Sequence, residues 1–505
     1  MPARCPYGQL VLYLLSYMRI LTVILLLSAS LCVNAREWKA SWEASARMGG
    51  TTGTYMPFWS RTGGDGILPV RSAALLTAGC DFAYDHGDGW SFGAGLNLAG
   101  ATSPRSPLNR TVAYALVDRL YLSGSWKMLH LDLGMRPRSQ EPGDLSITGG
   151  NVVYSGNARN IPGVNFRTDW IFFEKGHRVG IKANVAHYHM IDRRYVRGTM
   201  VHNKALALKV TPCRTVDMTI GIEHWAQWGG NSPEFGPQPS SMADFMRILV
   251  ASKGDRTATE SSRVNVLGNH LGREYLKVDW RSRLFTMTFQ YDKPFEDGSG
   301  LKFRNFPDGV WSLRFSMNDR NAAVTDIVYE FVNTTWQSGP EHDREATPEE
   351  MELQNPESPW YGRVVLGGQD DYFANTEYRS GWTNYGRVIG LPLILPSLPS
   401  EGGAVETMAS TRLRAHHLGI GGNICEGYPY RFKATYSCNY GCYDQPEESV
   451  FSAEPWQLSL AFEVGFKRRN LPVLISAGLY GDIGRLYQNS VGLTLKISYR
   501  DFRLF

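Results

Sequence analysis

The side chains best able to do chemistry in this sequence are scattered rather than clustered. His224, His270, His416 and His417 are candidates for a general base. Nucleophilic catalysis needs a nucleophile, a base and an orienting group held together. No serine lies in a nucleophile-elbow pattern, and no paired carboxylates stand out. The adjacent His416 and His417 would face opposite sides of a strand, one of them toward lipid headgroups. Gly49, Gly50 and Gly53, after Met48, lack the strand-to-helix context of a phosphate loop and read as a turn. Besides Cys5 and Cys32, the chain carries Cys80, Cys213, Cys425, Cys438 and Cys442, an odd set that leaves at least one unpaired. Cys438 and Cys442 lie on one expected strand, where a rise of roughly 3.3 Å per residue separates them too far for a bond. Cys425 with Cys438 stays open as a disulfide if their strands meet at a turn. No His/Cys ligand spacing accompanies them, so neither metal nor cofactor is expected. These residues point away from an enzyme.

A denser constellation lies in the stretch 370–412, which is rich in aromatic, Gly and Pro residues. Aromatic rings offer flat apolar faces to sugar rings, while Asn, Arg and Thr bind hydroxyls. The candidate glycan-binding residues are therefore Tyr372, Asn375, Tyr378, Arg379, Trp382, Asn384, Tyr385 and Arg387. Two alternatives stay open. Trp382 and Tyr385 either bind sugar or pack a plug or an interface girdle. Arg379 and Arg387 either contact acidic groups of a polysaccharide or hold the loop by salt bridges.

Such residues need a scaffold, and its signal is period-2 alternation from one end of the chain to the other. Trp456, Leu458, Leu460, Phe462, Val464 and Phe466 share one face; Gln457, Ser459, Ala461, Glu463, Gly465 and Lys467 share the other. The same rhythm marks segments at Trp38, Leu129, Phe285, Trp311 and Tyr430. An unbroken apolar face opposite charged residues suits lipid outside and a polar lumen inside, and membrane strands must close into a barrel. An even number of strands near 18 is expected. Aromatics make up 12% of the chain and glycines number 52, yet mean hydropathy is only −0.27, as alternation gives and well below the apolar average expected of a helical membrane protein. The net charge of +4 is too small to argue for nucleic acid.

Tight connections at Trp126-Lys127, Arg281-Ser282 and Asn318–Asn321 suit the periplasmic side. Three inserts are long: 229–271, 337–358 and 370–412. Within the first, Met242, Phe245, Met246 and Leu249 have helical spacing behind a cap at Ser240-Ser241. The acidic second insert reads as a mobile loop. Residues 1–35 read as an upstream extension plus a cleaved signal peptide, with a basic start at Arg19, an apolar core from Ile20 and a small-x-small site at Val33-Asn34-Ala35. Leu31 is too large for a lipoprotein signal at Cys32. The barrel domain is then 36–505. Its last strand, from Val491, ends on an aromatic residue, Phe505, which resembles the signal read by barrel-assembly machinery.

Five sets of residues together resemble the Wzi-type capsule-assembly family of outer-membrane lectins. They are Ser380-Gly381-Trp382-Thr383-Asn384 with Gly386-Arg387 and Ile389–Pro392; Leu267–Gly272; Phe295–Gly300 followed by Asp308–Trp311; Met56-Pro57-Phe58-Trp59; and His224-Trp225 with Trp228-Gly229-Gly230. They run from about residue 40 to the C-terminus. The resemblance implies an 18-stranded barrel with a blocked lumen, exposed loops at the cell surface, and a non-catalytic role in holding capsular polysaccharide. The expected partners are that polysaccharide, outer-membrane lipid and lipopolysaccharide, and the assembly machinery, for a monomer that binds no nucleic acid. One departure is that the mature chain enters a strand at once, leaving little room for an N-terminal helical bundle. Met56–Leu68 and the Met242 helix are expected to plug the lumen instead. The runner-up reading is a porin or substrate-specific channel, since inward charges suit a wet pore equally well.

Overall fold

The computed structural model describes residues 37–102, 113–138, 143–174, 176–255, 258–259, 262–263, 266–341, 344–357, 361–364, 366–400, 403–446, 448–467 and 471–504. The expected leader and the terminal Phe505 lie outside the described residues. The strands are β1 (Glu37–Thr51), β2 (Ala73–Gly87), β3 (Trp90–Thr102), β4 (Ala113–Trp126), β5 (Leu129–Met135), β6 (Gly163–Thr168, resumed at Ile171–Phe172), β7 (Val179–His189), β8 (Met200–Cys213) and β9 (Val216–Trp228). They continue with β10 (Asn269–Arg281), β11 (Phe285–Phe295), β12 (Gly309–Met317), β13 (Asp326–Asn333), β14 (Arg412–Asn423), β15 (Pro429–Gly441), β16 (Trp456–Lys467), β17 (Val473–Gly484) and β18 (Ser490–Leu504). Every neighbouring pair is antiparallel, and β18 closes on β1 from Lys39↔Leu504 to Thr51↔Gly492. The result is a closed barrel of 18 strands, and closure leaves no unpaired sheet edge.

Burial runs opposite to that of a water-soluble fold. On β16 the polar Gln457 and Ser459 are buried while Phe462 and Phe466 are exposed. Leu76, Ile220 and Leu493 are each more than half exposed. An apolar exterior of this extent is stable only against lipid. Aromatic side chains gather at both ends of the wall. Trp90 stacks on Trp126 at one end, and Tyr291, Phe306 and Trp311 cluster at the other. Short turns and both ends of the closed sheet share one rim. Most connections at the other rim are longer, the longest being 334–411.

Three of these long connections fold into the lumen near that rim. The first is 52–72, with the short helix α1 (Phe58–Arg61); the others are 143–162 and 370–396. One hydrophobic cluster joins Phe58, Trp59, Val152, Trp382 and Leu391 to inward residues of the wall such as Trp225, Val332, Leu413 and Tyr480. Backbone groups inside the lumen must also find partners. Ser155 N donates to Ile389 O at 2.9 Å and Leu391 N to Val152 O at 2.9 Å, which ties two plug segments together. The wall carboxylate Glu330 accepts from Ser146 Oγ and Ile147 N, both at 2.6 Å. His417, facing inward, contacts Leu145 O at 2.7 Å, while His416 faces outward and pairs with Tyr329 at 2.8 Å.

The structure corrects three expectations. Met56–Leu68 enters the lumen as expected, but the helix α2 (Met242–Val250) does not. It lies against the outside of the wall, where Phe245 meets His187, His202 and Trp228. Those three side chains share the outward parity of the exposed Val185, Leu206 and Ile220. Ser241 and Asp244 form its capping box, but its covered face is Phe245 and Ile248, whereas Met242 and Met246 are exposed. The acidic insert, expected as a mobile loop, contains a capped helix, Pro348–Glu352, and its Arg344–Glu345 pairs with Arg363–Val364 just beyond it. The cysteines from Cys80 onward are all free. Cys425 sits in a short-rim turn, whereas Cys438 pairs in register with Arg414 near the other rim, so they cannot bond.

Candidate functional site

The run 370–396 divides into a buried base and an exposed tip. Residues Thr383–Asn384 and Arg387–Val388 pair as a two-residue hairpin. Its tip, Tyr385-Gly386, has φ of 51° and 74°, the left-handed geometry of a tight hairpin turn. Glycine adopts this conformation freely, but a tyrosine does so at a cost of order 1 kcal/mol or more. Asp192 holds it there by accepting from Tyr385 N at 3.0 Å. The Tyr385 ring is 41% exposed, and the Arg159 guanidinium lies 3.9 Å from its centre. A partly exposed ring thus stands at the long-loop rim, with a guanidinium over one of its faces.

The other candidates take different positions. Tyr372, Tyr378, Trp382 and Asn384 are buried and serve the base. Asn305 Nδ2 donates to the Tyr372 hydroxyl at 2.7 Å, and the Tyr378 hydroxyl donates to Gly229 O at 3.2 Å. Trp382 Nε1 donates to Val153 O at 2.7 Å, and Asn384 Nδ2 donates to Arg159 O at 2.8 Å. Asn375 caps a turn by accepting from Glu377 N and Tyr378 N. Of the two alternatives for Trp382, the plug is the one its placement matches. Arg387 donates to Arg61 O at 2.6 Å and to Leu68 O, locking the hairpin to the first plug segment. Burial, with Arg61 nearby, pushes its guanidinium pKa down to about 10, so it stays charged at neutral pH. Arg379 is ion-paired to Glu234 and lies over the Tyr195 ring at 4.9 Å. Both arginines are thus committed to holding loops.

Sequence reasoning missed the residues that frame the tip. Arg159 comes from the second plug segment; Asp192 and Tyr195 come from the connection 190–199, and Glu234 from 229–268. The signal in 190–199 was a short connection dense in Arg, Asp and Tyr. Also missed was Glu223, the tie between plug and wall. Its carboxylate accepts from Arg138 at 2.9 Å and Asn151 at 2.9 Å on the plug side, and from Trp225 at 3.1 Å and Arg273 at 2.9 Å on the wall. Arg138 also lies over the Tyr154 and Trp225 rings at 5.0 and 4.9 Å. Here the geometry supports adhesion and rigidity rather than bond-breaking. His224 meets His270 through Nε2 at 2.8 Å and stacks on the Phe295 ring at 6.4 Å, and both histidines face outward. Among the described residues no group of three or more His, Cys, Asp or Glu is placed to hold a metal ion.

No family model matches the sequence, and no curated protein does. Among solved structures, the chain is similar to Wzi of Escherichia coli, described as an outer-membrane protein involved in group 1 capsule assembly and a carbohydrate-binding β-barrel. The TM-score is 0.55 at 12% identity, over 93% of this chain and 86% of that one. Two Pseudomonas aeruginosa barrels, OccK3 (OpdO) and OccK5 (OpdH), align over 93% of this chain and 97% and 99% of theirs, at 9% and 10% identity and TM-scores of 0.46 and 0.45. The likeness to Wzi is one of fold, and the fold it supports is that of an 18-stranded outer-membrane barrel.

Proposed function

We propose that this protein is a non-catalytic outer-membrane barrel that binds capsular or other surface polysaccharide and helps assemble or anchor it at the cell surface. In this reading the long-loop rim faces the cell exterior. The observation that carries it is Tyr385, an exposed ring held in a costly conformation at a hairpin tip beside Arg159. Ring faces flanked by amide and guanidinium donors suit pyranose rings with their hydroxyls. The remaining candidates, Tyr372, Asn375, Tyr378, Trp382, Asn384 and Arg387, act as the base that fixes this tip, and Arg379 with Glu234 frames its flank. The fold shared with Wzi supports the choice of ligand class. A conducting channel is less well supported, because three plug segments pack across the lumen in one cluster with the wall.

Tyr385→Ala tests this reading. The side chain lies outside the buried cluster, so the barrel is expected to fold normally. Binding of purified protein to capsular polysaccharide is expected to weaken by about 1–3 kcal/mol, as for a single aromatic anchor. Undiminished binding across a panel of polysaccharides would count against the rim as the site.

A further inference from the structure

Beneath the plug, on the inward face of β5 to β10, lies a cavity of about 380 Å³. It exists because the wall is locally thin. Ala205 and Ala207 of β8 stand opposite Asn184 and Lys182 of β7 and leave the lumen unfilled there. This volume is near the lower end of the roughly 300–1,000 Å³ range of small-ligand sites.

The charges around it are unevenly paired. On the plug side the account balances, because Arg138 and Arg273 share Glu223, and Arg273 also reaches Asp292 at 3.0 Å. On the opposite side it does not. A single carboxylate, Asp132, serves both Arg136 and Arg167, the latter at 3.2 Å. Lys182, exposed on the same wall, has no ion-pair partner among the described residues. Guanidinium and ammonium groups left over in this way attract carboxylate or phosphate. Tyr154, Tyr188 and Tyr275 complete the lining.

We infer that this cavity is a second saccharide site, separate from the rim, and that it takes a sugar residue bearing a carboxylate or phosphate, with Lys182 and Arg167 receiving the anion. The inference rests on the glycan-binding reading and adds the charge of the ligand to it. It also places the acidic sugar in the lumen on the short-turn side of the plug, where the rim arginines, already engaged, cannot compete for it.

The test uses the full-length barrel in detergent, with trigalacturonate as the acidic probe and maltotriose as the neutral one. Calorimetric titration is expected to show trigalacturonate binding at least tenfold tighter than maltotriose, and weakening as salt is raised. Lys182→Glu is expected to lower trigalacturonate affinity at least tenfold, and Lys182→Ala by less. Neither substitution breaks a contact in the structure, so folding is preserved. Acid binding is also expected to protect Lys182 from amine acetylation, read by mass spectrometry. Equal affinity for the two probes, no binding of trigalacturonate, or binding indifferent to Lys182 would each overturn the inference. Tyr385→Ala separates it from the rim: if that variant loses capsule binding while Lys182→Glu changes nothing, the rim reading stands and the cavity fails. If Lys182→Glu alone loses the acidic probe, the cavity stands and the rim fails.

Discussion

Two polar patches on neighbouring strands show how differently the two faces of this wall are built. Inward, Glu223 is almost wholly enclosed and accepts hydrogen bonds from four groups. Outward, at the same rim, His187, His202 and His224 stand where a lipid-facing strand should be apolar. Both ring nitrogens of His202 and Nδ1 of His187 and His224 have no hydrogen-bond partner among the described residues. Lipid offers no hydrogen bonds, so exposed polar groups there are costly. Elements outside the wall remove that exposure: Phe245 of α2 packs edge-on against His187 and His202, Lys204 donates to the Leu249 carbonyl of α2, and the Phe295 ring stacks on His224. Inside, polarity is satisfied by pairing; outside, it is tolerated only under a cover.

The comparison is broken most severely from the inside. Glu223→Ala leaves Arg138 and Arg273 without their shared carboxylate, and removing one partner of a buried charge network costs about 3–5 kcal/mol. The variant's unfolding midpoint in detergent is expected to fall accordingly. A loss as small as that of a surface substitution would mean the plug is held by its apolar contacts alone. From the outside, Ile248→Ala hollows the covered face of α2, at about 2–5 kcal/mol for a fully buried isoleucine. Its effect is expected to be local. His187 and His202 should become reactive to an imidazole-modifying reagent while the barrel stays closed. Unchanged histidine reactivity would show that α2 is not the cover.

A smaller effect sharpens the contrast at the loop base. Asp308, fully buried just before β12, accepts from Gln337 N at 2.7 Å and Asn333 Nδ2 at 2.7 Å. Burial pushes its pKa up to about 6 from an ordinary value of 3.8. The folded chain therefore holds this proton more tightly than the unfolded chain. Asp308 contributes most to stability below about pH 4, and that contribution is lost as the pH rises through about 6. Comparing wild type with Asp308→Asn between pH 4 and 7, the stability difference is expected to shift toward the variant by on the order of 2 kcal/mol. A difference independent of pH would show that the carboxyl ionises normally.

Much of the barrel was legible because its signal is periodic. Trp456–Lys467 is a strand with the expected faces, and the capped helix at Met242 begins where its cap residue stands. The path of the long connections was not legible. Nothing in the spacing of Met242, Phe245 and Met246 says which surface a helix will meet, so a cover was read as a plug. The clue lay elsewhere, in the polar residues His187, His202, Lys204, His224 and His270 interrupting the lipid face of four consecutive strands. The candidate site was legible in composition but not in depth. Trp382 and Tyr385 are three residues apart in the same aromatic run, yet one is enclosed and the other stands at a turn tip. That difference is set by Val153, Asp192 and Arg159, which come from distant connections.

The claim on which the rest depends is that 52–72, 143–162 and 370–396 fill the barrel rather than line a pore. Single-channel recording of the unmodified protein in a planar bilayer tests it directly. A filled lumen should give no steady conductance, with stepwise currents appearing only when residues 370–396 are deleted. Large, long-lived conductance from the unmodified chain would contradict the account and favour a channel.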